Sequence, residues 1–290
     1  MPLLPRIFTL MLCVTAGPMA AEDRPFASFD RESDAIFSDA HDLTEGPDGR
    51  IYVADKLNGR VVILDPETLE ELGTFGDGRL IHVRDVSFGP DGRAYVAVTG
   101  TNSVEVYDID GGAVIHHRSI TGIPRTEGAL AHSNGNLYAM ASGLGQVLAF
   151  GPDDKLIGAA PNVFGGHDVA EAPDGTIWVG TTRGTIVHLD QDLGYLGAID
   201  AAKFGLIGPR YLDFDAFGRM VVADQDAHRV LLIDPNGPGG GTFLGVLGDG
   251  HPGTGPGKFD DPEGVMVIGN RYYVSDSDNN RVVRYSIVMN

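Results

Sequence analysis

Six copies of one phrase limit what this chain can fold into. GPDGRIYVAD (46–55) returns as GPDGRAYVAV (89–98), HSNGNLYAMA (132–141), APDGTIWVGT (172–181), DAFGRMVVAD (215–224) and IGNRYYVSD (268–276). The turn glycines Gly49, Gly92, Gly135, Gly175 and Gly218 are spaced by 43, 43, 40 and 43 residues, and Asn270 takes the sixth turn position 52 residues on. Each unit reads as a short apolar strand, an Asp-Gly type turn, a second strand such as Ile51 to Ala54, a polar turn, a third strand such as Val61 to Leu64, and a looser fourth around Leu72 to Phe75. Four short strands repeated at this period predict an all-β fold, a six-bladed β-propeller of four-stranded antiparallel blades.

The ends and the one long gap complete the plan. The stretch Pro235 to Lys258 is rich in glycine and proline and reads as one long surface loop, which accounts for the wider last spacing. The sixth unit stops just after its third strand, so an edge is left to pair. Phe26 to Phe37 is the spare strand material, and it is expected to supply the outer strand of the last blade and close the ring. Before it, Arg6, the apolar run Ile7 to Ala16 and Gly17-Pro18-Met19-Ala20-Ala21 have the order of an export signal, so residues 1–21 are read as a signal peptide and 22–290 as the propeller. That run is too short to span a bilayer, and a soluble periplasmic or secreted protein is expected. Cys13 lies inside the signal, which leaves the remaining chain without disulfides or thiolate metal sites.

Charge narrows the partners. Twenty-one Lys and Arg face forty Asp and Glu, a formal net charge of −19. Such a surface repels phosphate backbones, so nucleic acid is excluded as a partner class. The sequence carries no GxSxG elbow, no HExxH helix and no phosphate loop ending in GK[ST]. Trp178 stands where most units have Tyr and is read as packing between blades.

The segments IYVADKLNGRVVILD, MVVADQDAHRVLLID and YYVSDSDNNRVVRYS resemble the NHL repeat, with Asp–Arg pairs at Asp55/Arg60, Asp224/Arg229 and Asp276/Arg281. GTGPGKFDDPEGV (253–265) is similar to the linker that enters such a repeat. The resemblance covers nearly all of the chain after the signal and implies a propeller. It fixes no function, because propellers host enzymes, lectins and scaffolds alike.

Chemistry is expected where the innermost strands enter the channel. Alignment on the turn glycine gives His41-Asp42, Arg84-Asp85, Glu127-Gly128, His167-Asp168, Arg210-Tyr211 and Glu263-Gly264, so equivalent residues are expected to face each other across the channel. Two readings stay open. His41, His167, Glu127 and Glu263 could meet at one divalent cation, zinc by the imidazoles or calcium by the carboxylates, with Asp42, Asp85 or Asp168 around it. Alternatively the ring is a set of structural ion pairs, Arg84 beside Glu127 and Arg210 beside Glu263.

The pattern is distantly similar to peptidyl-hydroxyglycine amidating lyases, which hold zinc by histidines at repeat starts, matched here at His41 and His167. It is also similar to gluconolactonase-type propellers, whose Glu-Gly repeat start is matched at Glu127-Gly128 and Glu263-Gly264. The leading functional expectation is a binding module that takes a small ligand, cation or protein segment on the channel-mouth face. The alternative is a metal-dependent lyase or lactonase at the same ring. There Glu127 or Glu263 is the catalytic candidate as ligand or base, Tyr211 the candidate proton donor, and Arg84 or Arg210 the clamp on an anionic substrate.

Overall fold

The computed structural model describes residues 25–76, 78–110 and 113–287; the signal-peptide reading of residues 1–21 lies outside them. Strand β1 (Ser28–Glu32) precedes the first repeat. Blade 1 is β2 to β5, Ala40–Glu45, Ile51–Asp55, Arg60–Leu64 and Glu71–Phe75. Blade 2 is β6 to β9, Val83–Phe88, Ala94–Val98, Ser103–Asp110 and Ala113–Thr121. Blade 3 is β10 to β13, Thr126–Ala131, Leu137–Ala141, Gln146–Phe150 and Leu156–Ala160. Blade 4 is β14 to β17, Gly166–Glu171, Ile177–Thr181, Thr185–Leu189 and Tyr195–Asp200. Blade 5 is β18 to β21, Pro209–Phe214, Met220–Asp224, Arg229–Asp234 and Thr242–Leu247, and blade 6 holds β22 to β24, Pro262–Ile268, Arg271–Asp276 and Arg281–Ser286. Every blade is a four-stranded antiparallel sheet in sequence order, except that blade 6 runs β1-β24-β23-β22. No helix among the described residues is long and apolar enough to cross a membrane.

The first-strand turn has the same cause in each of the first five units. Gly49, Gly92, Gly135, Gly175 and Gly218 all sit at positive φ, between 74° and 87°, which a side chain would resist. Alternation then sends one face of each sheet toward each neighbouring blade. The apolar core is therefore divided into six seams, one between each pair of adjacent blades. Trp178, Phe214 and Met220 fill the seam between blades 4 and 5, while Tyr273, Met266 and Leu43 fill the one between blades 6 and 1.

The ring closes as the sequence predicts. Ser28 and Phe29 pair with Ser286 and Tyr285, and Arg31 and Glu32 pair with Arg284 and Val283. Phe26 and Phe29 add edge-to-face contacts with Tyr272 and Tyr285 at 4.9 and 6.0 Å, and Arg284 Nε donates to Asp30 at 2.7 Å. The Gly/Pro-rich stretch departs from expectation. It is not one loop, because Thr242–Leu247 pairs with β20 as the fourth strand of blade 5 and buries Val246 and Leu247. Glycines hid that strand by diluting its apolar pattern.

Deleting residues 25–38 removes the outer strand of blade 6 and both aromatic contacts. Two lost rings at about 3 kcal/mol each put the expected fall in melting temperature at 10 °C or more, on the order of 2 °C per kcal/mol. An unchanged thermal transition for the truncated protein defeats the closing role of β1.

Candidate functional site

One backbone device builds the channel mouth six times. The turn between second and third strands is hydrogen-bonded to the segment that leads into the first strand. Lys56 and Leu57 N–H donate to the carbonyls of Asp39 and Ser38, and Thr99 and Gly100 to those of His82 and Ile81. Ser142 and Gly143 donate to Arg125 and Pro124, Thr182 to Gly165, Gln225 to Gly208, and Ser277 and Asp278 to Asp261 and Asp260. In five blades the residue two before the ring position is left-handed: Asp39, His82, Arg125, Gly165 and Asp261. A bulge follows in each innermost strand. A bulge turns a side chain away from the sheet's own alternation, and here it places His41, Arg84, Glu127, His167, Arg210 and Glu263. In blades 1, 5 and 6 the Asp–Arg pairs reinforce the device: Asp55, Asp224 and Asp276 accept from Arg60, Arg229 and Arg281 at 2.8, 3.0 and 2.8 Å. Their second oxygens accept from the incoming backbone at Ser38, Ile207 and Asp260.

The glycines of the two Glu-Gly dipeptides serve packing. A Cβ on Gly128 or Gly264 would stand 2.5 Å from the carbonyl oxygen of His167 or His41, so only glycine lets the next blade approach.

The ring side chains form two buried clusters bridged by Arg84. In the first, Glu263 touches His41 Nδ1 and accepts from Gln225 at 2.6 Å. His41 Nε2 lies 3.2 Å from Asp39, and His41 Nδ1 lies 3.0 Å from the Tyr211 hydroxyl. Burial opposes the His41 proton, yet Glu263 and Asp39 hold its pKa above the ordinary histidine value. In the second cluster Glu127 meets Arg84 at 3.3 Å, Arg125 at 3.1 Å and His167 at 3.6 Å. Arg84 Nη1 also stands 3.4 Å from His41 Nε2. His167 is the opposite of His41. Burial and the charges of Arg210, Arg84, His41 and Arg125 push its pKa down to about 3. Burial, with Glu263 adding to it, pushes the fully buried Tyr211 hydroxyl far above the ordinary phenol value.

None of these contacts joins opposite blades: His41 of blade 1 meets Glu263 of the adjacent blade 6 and reaches Tyr211 of blade 5, two blades away. Arg84 stands beside Glu127 as expected. Arg210 does not pair with Glu263, because Gln225 and His41 already occupy that carboxylate; it reaches Asp226 at 3.2 Å. The expectation missed Asp39, Arg125 and Gln225. The first two hold the left-handed position before the ring dipeptide, a spacing that was readable once the dipeptides were aligned.

Solvent meets a different set from the one buried beneath. Glu127, Glu263 and Tyr211 are buried. Arg84, His167 and Arg210 keep 15, 12 and 23% of their side chains exposed, and Arg125 is largely open. Arg210 Nε is a buried atom without a partner, while Arg84 Nε and His167 Nδ1 face Glu127 at 3.3 and 3.6 Å. Around this cationic centre the mouth loops expose Leu57, Ile81, Leu144, Phe164 and Ile207.

Asp39, His41 and Glu263 offer ligand atoms within 4.8 Å of one another, the one such group among the described residues. Its atoms already have other partners: both ring nitrogens of His41 face carboxylates, Glu263 and Asp39, and Asp39 is paired with Lys56. Asp42, Asp85 and Asp168 line, with Asp213, a separate channel cavity of about 180 Å³ that none of the six ring residues borders. Burial raises all four; Asp85 and Asp213 reach about 6.

Comparison with known proteins places the chain. The family model described as a domain of unknown function, DUF5074, matches residues 42–204. No curated protein matches the sequence. Among solved structures, virginiamycin B lyase from Staphylococcus aureus superposes with a TM-score of 0.62 at 9% identity, over 87% of this chain and 96% of that one. A streptogramin B lyase gives 0.63 at 11% identity, over 88% and 85%. A catalytically inactive histidine-to-alanine variant of the Staphylococcus aureus enzyme with quinupristin gives 0.65 at 9% identity, over 89% and 99%. These likenesses show a shared fold.

The acid cavity has a pH signature. Asp85 binds its proton more tightly folded than unfolded, so its contribution to stability is present below about 4 and lost as pH rises through about 6. Asp85→Asn keeps an acceptor for Ala129 N–H without the charge. Two pK steps are worth ~2 to 3 kcal/mol, so the variant is expected to melt about 5 °C above the parent at pH 8 and level with it at about pH 3, below the unfolded carboxylate's own titration. A difference of equal size at both pH values overturns this account.

Proposed function

We propose that this chain, which belongs to the DUF5074 family, is an exported binding module that holds a small ligand by an anionic group at its channel mouth. The observation that carries this reading is a pair of partly exposed arginines, Arg84 and Arg210, the Nε of Arg210 buried without a partner, beside a neutral His167. A molecule of net charge −19 that sets three arginines, Arg84, Arg125 and Arg210, at one mouth, inside an apolar rim, is arranged to attract a carboxylate there and cover the rest of the ligand. The acids that would repel it are buried underneath and already paired. We read the blades as NHL-type on the Asp–Arg pairs of blades 1, 5 and 6, and export rests on the signal-like order of residues 1–21.

A second reading is a lyase or lactonase at the same ring. The fold shared with streptogramin B and virginiamycin B lyases supports it, as does a partly exposed His167 at the mouth. A base held near 3 is weak at neutral pH. A bound carboxylate would offset Arg84 and Arg210, two of the charges that depress it, and so raise its basicity. Glu127, Glu263 and Tyr211 then act from behind the surface by holding Arg84, His41 and His167 in place.

The test is a panel of small carboxylates, each with its neutral amide, read by thermal shift. At least one carboxylate is expected to raise the melting temperature by about 2 °C or more at saturation, and its amide to do nothing. Arg210→Ala, which breaks only an exposed pair with Asp226, is expected to weaken that binding about tenfold or more. Amides as effective as acids, or a silent panel, sink the anion reading. Chelator treatment is expected to leave melting unchanged, since the Asp39–His41–Glu263 group is balanced by its own cations; a fall restored by one divalent ion favours the metal-dependent lyase instead.

A further inference from the structure

The repeat is its own control, and three of its departures meet at one place. In blades 1 to 3 the residue before the turn glycine is Asp48, Asp91 or Asn134, and it hydrogen-bonds the hydroxyl of Tyr52, Tyr95 or Tyr138 at 3.0, 3.1 and 3.0 Å. The third-strand partners of those tyrosines are Ile63, Val106 and Ala149. Blade 4 replaces the tyrosine with Trp178 and its partner with His188. Blade 5 replaces the polar turn residue with Phe217, which is 84% exposed. All three replacements line one cavity of about 320 Å³ between blades 4 and 5, at the end of the molecule that carries the first-strand turns and away from the ring.

The cavity has an aromatic wall and a short set of polar atoms. Trp178 and His188 stack at 3.9 Å with their planes 12° apart. Arg219 lies over the Phe217 ring at 5.2 Å. His188 Nε2 is buried and has no hydrogen-bond partner; Asp174 and Asn236 line the same space. At the equivalent seam between blades 2 and 3 the polar groups are already used, Arg118 bonding both oxygens of Asp154 and lying over Tyr95. An orphaned buried ring nitrogen costs stability where it stands, and a ligand that bonds it removes the cost.

We propose that this cavity is a carbohydrate site that takes one pyranose ring. A sugar offers an apolar C–H face to Phe217 and the Trp178 edge and hydroxyls to His188 Nε2, Asp174 and Asn236. A purely aromatic ligand would leave His188 Nε2 unmatched. The volume lies at the small end of the range for ligand pockets, about 300 to 1,000 Å³, which suits a single ring. This site is independent of the channel mouth.

Trp178 is the single tryptophan of the chain, so its emission reports the site directly. Methyl glycosides of glucose, galactose, mannose, fucose and N-acetylglucosamine are titrated against the protein. At least one is expected to saturate a change in Trp178 emission at millimolar concentration. Phe217→Ala, at a solvent-exposed position, is expected to leave melting unchanged and weaken that glycoside about fivefold or more. His188→Phe keeps the stack, removes the nitrogen, and is expected to weaken it as well, while Arg210→Ala at the mouth leaves it unaltered. A panel that moves no emission overturns the proposal. So does binding of phenol or indole without any glycoside, or an affinity that Phe217→Ala leaves intact.

Discussion

Everything at the channel mouth hangs from one set of backbone hydrogen bonds: those that tie each second turn to the segment entering the first strand of its blade. They hold the residue two places before the ring in a left-handed conformation in five blades, and the bulge that follows aims the ring side chain. Four of those five are not glycine, so the conformation is imposed by the pinned loops and not by local preference. Ring residues can then differ in chemistry from blade to blade on a constant backbone.

The charges are layered by accessibility. Carboxylates of Glu127 and Glu263 lie buried, cations of Arg84, Arg125 and Arg210 cover them, and a second acid group borders a cavity of its own. Neighbouring charges decide the direction in each layer: the pKa of His41, between carboxylates, is raised in spite of burial, and that of His167, among guanidinium groups, is lowered. Two histidines at equivalent places in the repeat thus end in opposite states. Their neighbours differ, and a buried charge depends on its neighbours.

The architecture was legible because repetition is a sequence property. Turn glycines at a steady period gave six blades, and an unpaired last strand gave the closure. Strand β21 escaped because glycines on both sides diluted its pattern, and only its pairing with β20 reveals it. Ring membership was legible too, since alignment on Gly49 and its equivalents found all six positions. Partnership was not. That Arg210 goes to Asp226, that Gln225 takes Glu263, and that Asp39 completes the His41 group follow from where loops fold back, which no spacing encodes. Trp178 shows the same limit: its packing role was readable, whereas the exposed Phe217 across the seam belongs to a different unit.

Ring closure by the two ends has a consequence for how the molecule is made. Asp30 and Ser286, 256 residues apart, meet in the finished blade, so β1 can find its partner only after the whole chain is available. Loop-closure entropy makes such distant pairing late in folding, and a chain emerging from its N-terminus must carry an unmatched strand throughout synthesis. Until then the edge of β24 is open to any strand of the same sequence. A neighbouring molecule's β1 fits it as well as its own, which makes exchange of that arm between two chains the characteristic way for this ring to misassemble at high concentration.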